Sequence, residues 1–191
     1  MSYHFYAMLS RMKNIYRWGL MRNTKPESLS EHTLEVAFIA HSLALIHNNR
    51  FGGNINAERV AIIAMFHDTS EIITGDMPTP IKYYNPEIKR VYKEIEAVAE
   101  DKLISMLPDY LKDDIGEIYQ DKDEITARLI KAADKISAYI KCVEELKMGN
   151  SEFGVAKQAT EKAIKELALP EADVFMEEFI PSFSLSLDEQ N

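Results

Sequence analysis

An uninterrupted apolar run extends from Val60 to Phe66 and leads into three ionisable residues, His67, Asp68 and Glu71. Asn56 is a suitable N-cap, so the pattern predicts a helix that is apolar on all sides and therefore buried. Continued to Glu71, this helix carries His67 and Asp68 inward. Residues four apart share a helix face, so Glu71 is predicted to lie on the same side as His67.

A buried carboxylate beside a buried imidazole is costly unless both groups are satisfied. A divalent metal ion would satisfy the His67–Asp68 pair. The alternative is a core histidine that hydrogen-bonds its aspartate neighbour, which is the simpler interpretation of an isolated pair. Further candidate ligands elsewhere in the chain would favour the metal site over the hydrogen-bonded pair.

Two short segments precede the central helices. Four apolar residues follow helical spacing, namely Phe5, Met8, Leu9 and Met12. They predict a short amphipathic helix over 3–13. Residues 14–25 lack a clear period and are predicted to form a loop or broken helix that contains Arg17 and Trp18. On composition alone, this loop is explained by surface arginines with a packing tryptophan.

A second helix is predicted to begin near Ser28. Ser28 and Glu31 have the spacing of a capping box, and an apolar, alanine-rich run follows to Ile46. His32 falls in the first turn of this helix. The positive end of the helix dipole disfavours imidazolium there, so a neutral imidazole that can bind a metal is expected.

The segment after Glu71 contains Gly75, Pro78 and Pro80, which cannot continue a helix. A loop is therefore predicted beside the candidate site. Asp76 and Thr79 are candidate binding residues, because loops on a rigid scaffold often carry such groups. Alternatively, Asp76 only caps a turn.

The remainder of the chain is helical by pattern, and the predicted fold class is all-α. Helices are predicted over 85–106, from Pro108, and over 123–148, 151–168 and 171–179. No alternating run demands a strand. Asp134 lies at the margin of the apolar stripe of its helix, where it is either a surface charge or a carboxylate directed into the core.

Composition narrows the possible functions. The 191 residues are 46% hydrophobic, which predicts one domain over 1–191. The formal charge of -9 argues against binding nucleic acid polymers or anionic membranes. Cys142 is the single cysteine, and no stretch approaches a membrane span or a signal peptide, so a cytoplasmic location is expected.

Several short motifs follow one another in a distinctive order. Ser-Glu-His-Thr, Phe-His-Asp and Ala-Ala-Asp-Lys resemble the HD-domain superfamily of metal-dependent phosphohydrolases. Arg-Trp, Met-Arg-Asn, Phe-Gly-Gly-Asn and Thr-Gly-Asp-Met-Pro-Thr-Pro-Ile-Lys-Tyr are similar, more narrowly, to the bacterial 5′-deoxynucleotidases of that superfamily. The resemblance covers almost the whole chain. It implies a single-domain HD helical bundle and a homodimer, with the metal-site core at about 28–148 between flanking terminal helices.

The resemblance also implies four metal ligands, namely His32, His67, Asp68 and Asp134. Two imidazoles and two carboxylates, without thiolate, suit one divalent ion such as Co or Mn better than a closed structural zinc. Two-metal HD enzymes need further histidines after the His-Asp pair, and none follows His67 here. One metal ion is therefore expected.

The implied reaction is hydrolysis of deoxyribonucleoside 5′-monophosphates to deoxyribonucleosides and phosphate by a metal-activated water. Arg17 would orient the phosphate, and Glu71, working with Asp76, would protonate the leaving oxygen. Trp18, next to Arg17, would lie against the sugar and leave no room for a 2′-hydroxyl. The implied substrate-binding residues are Arg17, Trp18, His32, Asp68, Asp76, Met77, Pro78, Thr79 and Asp134. The alternatives are another HD phosphohydrolase, such as a dNTP triphosphohydrolase or nucleotide pyrophosphatase, and a non-catalytic nucleotide-sensing domain.

Overall fold

The structure is a computed structural model that describes residues 2–78, 81, 84–121 and 123–190. Helices dominate these residues, which contain no β-strand beyond one isolated antiparallel bridge between Tyr16 and Ser28. The all-α prediction is confirmed. None of the described helices is long and apolar enough to cross a membrane.

The helices follow the predicted order, and most begin and end near the predicted residues. Within the described residues, the α-helices are α1 (Phe5–Leu9), α2 (Leu29–Phe51), α3 (Ala57–Phe66), α4 (Glu71–Thr74), α5 (Pro86–Ser105), α6 (Asp109–Tyr119), α7 (Glu124–Lys147), α8 (Gly154–Glu166) and α9 (Pro170–Glu178). Short 3₁₀ segments span Ser10–Asn14, Ser151–Phe153, Ile180–Ser184 and Leu187–Gln190.

Local side-chain caps explain where several helices begin. The Asn85 carboxamide accepts the backbone N–H of Ile88 at 2.8 Å, and the Asp123 carboxylate accepts that of Thr126 at 2.8 Å. The predicted capping box is present, because the backbone N–H of Ser28 donates to Glu31 at 2.8 Å. Each cap satisfies backbone groups that the first turn leaves without partners.

The chain groups into two compact units. The first comprises Met1–Arg22, Pro26–Thr33 and Met65–Asp121. Its apolar cluster is built on Phe5, Leu103 and Leu107, which Phe66 and Ile72 help to cover. This unit contains α1, the first turn of α2, α4, α5 and α6. It also carries most of the candidate site residues.

The second unit comprises Asn23–Lys25, Leu34–Ala64 and Lys122–Asn191. The larger apolar cluster lies here, and α7 supplies many of its fully buried side chains, including Leu129 and Ile136. The assignment of 1–191 to a single domain stays a prediction.

A buried ionic network in the second unit joins α7 to the segment Asn23–Lys25. Lys141 Nζ donates to Glu145 at 2.5 Å, and the same carboxylate accepts the backbone N–H of Thr24 at 2.8 Å. Asn150 Nδ2 also donates to Glu145 at 2.8 Å. Burial alone would raise the pKa of Glu145, but these hydrogen bonds hold it well below its ordinary value.

The predicted continuous helix from Val60 to Glu71 is wrong. Helix α3 ends at Phe66, residues 67–70 form a turn, and Glu71 begins α4. Thr69 explains the break, because its hydroxyl and its backbone N–H both donate to the Phe66 carbonyl, at 2.9 and 3.2 Å. A side chain that bonds a helix-end carbonyl competes with continuation of the helix.

Helix α3 is also not buried on all sides, as its uniformly apolar sequence predicted. Ala57, Val60 and Ala64 are buried, whereas Ile62 and Met65 are each 40% exposed. The buried residues recur at helical spacing, so the helix packs by one stripe. Because the residues on its exposed face are apolar as well, the sequence of this helix does not show which face is buried.

Candidate metal centre

Three potential metal ligands converge within the first unit. His32 is the fourth residue of α2 and is fully buried, while His67 and Asp68 open the turn after α3. One ligand atom from each of the three residues lies within 4.8 Å of those from the other two. The sequence-predicted trio is thus brought together by two separate elements.

The potential ligand atoms of His32, His67 and Asp68 lie close together. Asp68 Oδ2 lies 3.6 Å from His32 Nε2 and 3.1 Å from His67 Nε2. The two imidazole ring centroids are 5.5 Å apart, at an interplanar angle of 56°. Because the rings are tilted, their Nε2 atoms approach the same carboxylate from different directions.

The Asp68 carboxyl is held in its ionised form. Burial alone would raise its pKa, but the neighbouring His67 and His32 hold the pKa of Asp68 well below its ordinary value. An anionic carboxylate between two imidazoles satisfies the chemistry of a divalent cation site. The residues present therefore fit the divalent metal ion expected from the sequence, and three protein ligands leave positions for water or substrate.

The predicted loop around Arg17 is anchored beside this trio. The backbone N–H of Arg17 donates to the Glu27 carbonyl at 2.9 Å, and that of Leu29 donates to the Ile15 carbonyl at 2.8 Å. The loop thus runs antiparallel to the residues that precede α2. Through this pairing, the Arg17 guanidinium reaches His32, with Nη1 2.5 Å from Nδ1.

Trp18 has an unusual backbone conformation. Its φ is 61°, in the left-handed region that non-glycine residues avoid at a cost of about 1–2 kcal/mol. Its carbonyl accepts the backbone N–H of Met21 at 2.8 Å, and its indole Nε1 donates to Glu27 at 2.8 Å. Strained residues of this kind cluster at functional sites, which argues against a simple packing role for Trp18.

Asp76 faces the same group of residues. Burial raises the pKa of Asp76 above its ordinary value, and the charge of Asp68 raises it further, against the opposing effects of Arg17 and His32. Its carboxylate also accepts a hydrogen bond from the backbone of Trp18. Asp76 therefore lies near Arg17, His32 and Asp68, and its role there stays a prediction.

The remaining predicted site residues are less directly placed. Glu71 is the buried first residue of α4, and Met77 and Pro78 are partly exposed in the segment that follows. Thr79 lies outside the described residues. Asp134 lies on α7, in the second unit, with its Oδ2 3.2 Å from Lys135 Nζ. The roles of these residues stay predictions.

Glu27 is a further residue of this cluster that the sequence patterns do not predict. Its carboxylate contacts the Trp18 indole and lies 3.5 Å from the Arg17 guanidinium. Burial opposes ionisation, but hydrogen bonding to His32 and the charge of Arg17 keep the pKa of Glu27 below its ordinary value. Its only sequence signal is a carboxylate directly before the Ser28 cap, and nothing in that position pointed to Arg17 or Trp18.

Two solved structures share this fold over nearly the whole chain. An HD-domain phosphohydrolase from Listeria innocua has a TM-score of 0.82 at 22% identity, covering 98% of this chain and 91% of its own. The cyanophage S-2L HD phosphohydrolase DatZ, bound to dA and one catalytic Zn2+ ion, has a TM-score of 0.68 at 21% identity, covering 93% and 96%. The fold is therefore that of the HD-domain phosphohydrolases.

Sequence comparison defines the family more narrowly. The model of the YfbR-like 5′-deoxynucleotidases matches residues 4–183. A 5′-deoxynucleotidase of Vibrio vulnificus is 56% identical over 188 residues, which are 97% of each chain. One of Yersinia pestis is 56% identical over 190 residues, covering 97% of this chain and 95% of its own. The chain belongs to the YfbR-like 5′-deoxynucleotidase family.

Proposed function

We propose that this chain is a metal-dependent 5′-deoxynucleotidase that hydrolyses deoxyribonucleoside 5′-monophosphates to deoxyribonucleosides and inorganic phosphate. The observation that carries the proposal is the contact between Arg17 and the cluster of His32, His67 and Asp68. A cation-binding cluster beside a fixed guanidinium suits a phosphate group. The names of the relatives supply the deoxynucleotide substrate.

His32, His67 and Asp68 would hold the metal ion, and Asp134 is proposed as the fourth ligand on the resemblance alone. A divalent ion at these ligands would supply positive charge and a water molecule of lowered pKa. Co or Mn is the proposed ion, because the donors are nitrogen and oxygen without thiolate. A neighbour of the same fold carries Zn2+, so metal identity has to be measured.

Arg17 binds and orients the phosphate. Its side chain is only 13% exposed, and the backbone pairing with Glu27 fixes the loop that carries it. Arginine donates two parallel hydrogen bonds to a phosphate, which fixes direction as well as charge. This orientation aligns the phosphorus for attack by water opposite the 5′-oxygen.

Hydrolysis forms one phosphorus–oxygen bond to water and breaks the bond to the 5′-oxygen, which then needs a proton. Asp76 and Glu71 are the proposed donors. The raised pKa of Asp76 favours a protonated carboxyl closer to neutrality. Glu71 is buried and follows the ligand turn directly. Either carboxyl group delivers its proton to the leaving oxygen and is reprotonated from water.

Trp18 is proposed to lie against the sugar and to exclude the 2′-hydroxyl of ribonucleotides. An apolar wall alone rejects an added hydroxyl only about a hundredfold, so the strained, fixed position of the indole has to add a steric barrier. Met77, Pro78 and Thr79 are proposed to line the sugar side. No base-reading group is assigned, so tolerance among bases is expected.

The decisive experiment is a phosphate-release assay on deoxy- and ribonucleoside mono-, di- and triphosphates with Co, Mn, Zn or Mg added. The proposal is supported if phosphate is released from deoxyribonucleoside monophosphates and from none of the other nucleotides. Release of pyrophosphate or triphosphate identifies the alternative HD phosphohydrolases. Binding without any release identifies a nucleotide-sensing domain. The homodimer and the cytoplasmic location also stay predictions, which light scattering and cell fractionation test.

A further inference from the structure

Glu27 lies where three candidate site residues meet. Its Oε2 accepts the indole N–H of Trp18 at 2.8 Å and lies 3.5 Å from Arg17 Nη1. Its Oε1 lies 3.7 Å from Nδ1 of His32. The side chain of Glu27 is only 11% exposed, so water competes weakly for these contacts.

The Trp18 backbone needs such a contact. Its φ of 61° is costly for a bulky side chain, and such conformations persist only where the surroundings over-determine them. A hydrogen bond to a carboxylate is about twice as strong as one between neutral groups. Glu27 also accepts the backbone N–H of Arg17 through its carbonyl, so it restrains both residues of the pair.

We propose that Glu27 is a positioning residue that holds the Trp18 indole in place and thereby sets the preference for deoxyribonucleotides over ribonucleotides. The proposal rests on the proposed function, because the role of Trp18 beside the sugar is assigned there. Glu27 also lies beside Arg17 and His32, which act on deoxy and ribo substrates alike, so loss of those contacts should lower the turnover of both substrates together. The deoxy-to-ribo ratio therefore isolates the effect of Glu27 on Trp18.

The removal of the carboxylate has a defined consequence. Without Glu27, the indole N–H loses this carboxylate acceptor, while the Trp18 backbone keeps its hydrogen bonds with Met21 and Asp76. The indole then no longer occupies one orientation, so it excludes a ribose 2′-hydroxyl less strictly. Ribonucleotide turnover should rise relative to deoxyribonucleotide turnover.

The kinetic test compares kcat/KM for 2′-deoxyadenosine and adenosine 5′-monophosphates. In Glu27→Ala the deoxy-to-ribo ratio should fall about tenfold or more, the effect of losing one hydrogen bond to a charged group. In Glu27→Gln the deoxy-to-ribo ratio should fall less, since the amide oxygen still accepts the indole N–H. Glu31→Gln is the matched control, because glutamine also serves in a capping box, and its ratio should equal that of the wild type.

Fluorescence gives a readout that does not depend on activity. Trp18 is the single tryptophan of the chain, so its emission reports this site alone. Acrylamide quenching of the metal-free protein should increase in Glu27→Ala and stay unchanged in Glu31→Gln. If the wild type hydrolyses neither nucleotide, the proposed function fails, while the quenching comparison still decides whether Glu27 holds the indole.

A double-mutant cycle separates a contact with Trp18 from a general loss of structure. Trp18→Phe removes the N–H donor, so adding Glu27→Ala should lower the deoxy-to-ribo ratio by less than twofold further. Circular dichroism checks the fold, and Glu27→Gln replaces Glu27→Ala if the alanine variant does not fold. A folded Glu27 variant that keeps both the wild-type ratio and the wild-type quenching overturns the proposal.

Discussion

The guanidinium of Arg17 and the imidazole of His32 are joined by a direct contact, with Nη1 2.5 Å from Nδ1. The contact directs the opposite ring atom, Nε2, towards Asp68, where it lies 3.6 Å from Oδ2. The candidate phosphate-binding residue therefore also orients a candidate metal ligand.

Replacement of Arg17 by alanine should lower kcat for deoxyribonucleoside monophosphates about a hundredfold or more at saturating metal, the usual loss for one removed charge-stabilising donor. Arg17→Lys should recover little, because an ammonium does not reproduce the planar two-bond contact. Arg11→Ala, which removes an exposed arginine nearby in sequence, is the control. Steady-state phosphate release measures all three, and near-normal turnover in Arg17→Ala would refute its role.

Tyr119 supports the turn that carries His67 and Asp68. Thr69 donates its hydroxyl hydrogen to Phe66, so the Tyr119 hydroxyl, 2.8 Å away, donates to Thr69. Burial raises the pKa of Tyr119 to about 12, which keeps this donor protonated. Tyr119→Phe should lower the free energy of unfolding by about 1 kcal/mol and weaken metal binding.

Urea denaturation and metal titration measure these two effects of Tyr119→Phe. The control is Tyr110→Phe, on the same helix but 79% exposed, which should change neither. Equal behaviour of the two variants would show that the hydroxyl does not support the ligand turn.

The Glu145 network predicts a pH-dependent stability. The pKa of Glu145 in the folded protein lies well below the ordinary 4.5. The ionised carboxylate therefore stabilises the fold fully above pH 4.5, and this stabilisation is lost progressively as the pH falls below 4.5. Glu145→Gln should cost about 3 kcal/mol near neutrality, because it leaves Lys141 buried without its partner charge. The difference in the free energy of unfolding between the wild type and Glu145→Gln should decrease below pH 4.5.

Chemical denaturation from pH 3 to pH 7 measures this gap. The exposed neighbour Glu144 supplies the control, since Glu144→Gln should track the wild type throughout. A gap between wild type and Glu145→Gln that stays constant down to pH 3 would contradict the assigned pKa direction.

Asp134 gives the sharpest test of an assignment that rests on resemblance alone. Asp134→Ala should lose bound metal and turnover together, as a missing ligand does. Lys135→Ala removes only the ion-pair partner, 3.2 Å from Asp134, and should keep both. Metal content by mass spectrometry decides: retention at the wild-type level in Asp134→Ala would remove it from the ligand set.

The helices could be predicted because their signals are local. Asn85, Asp123 and the Ser28 capping box each satisfy backbone groups within a few residues, and periodicity gave the buried stripes. The break after Phe66 escaped prediction, because the Thr69 hydroxyl competes for a carbonyl within an otherwise helical apolar run.

The role of Glu27 could not be predicted for a different reason. It depends on the left-handed backbone of Trp18, which is rare for a tryptophan and has no signature in the neighbouring sequence. Contacts that rest on an unfavourable conformation are visible only in three dimensions. The candidate metal ligands His32, His67 and Asp68, by contrast, are predicted from residue type and motif order, and their ligand atoms lie together.

Deoxyribonucleotide hydrolysis is expected to require a metal ion held by His32, His67 and Asp68. The most direct measurement is metal content and phosphate release from 2′-deoxyadenosine 5′-monophosphate for the wild type, His67→Ala and Asp68→Ala, before and after chelation. This requirement predicts that chelation abolishes wild-type activity, that Co or Mn restores it, and that neither variant retains metal or turnover. Undiminished phosphate release from the chelated enzyme, or from either variant, would contradict it.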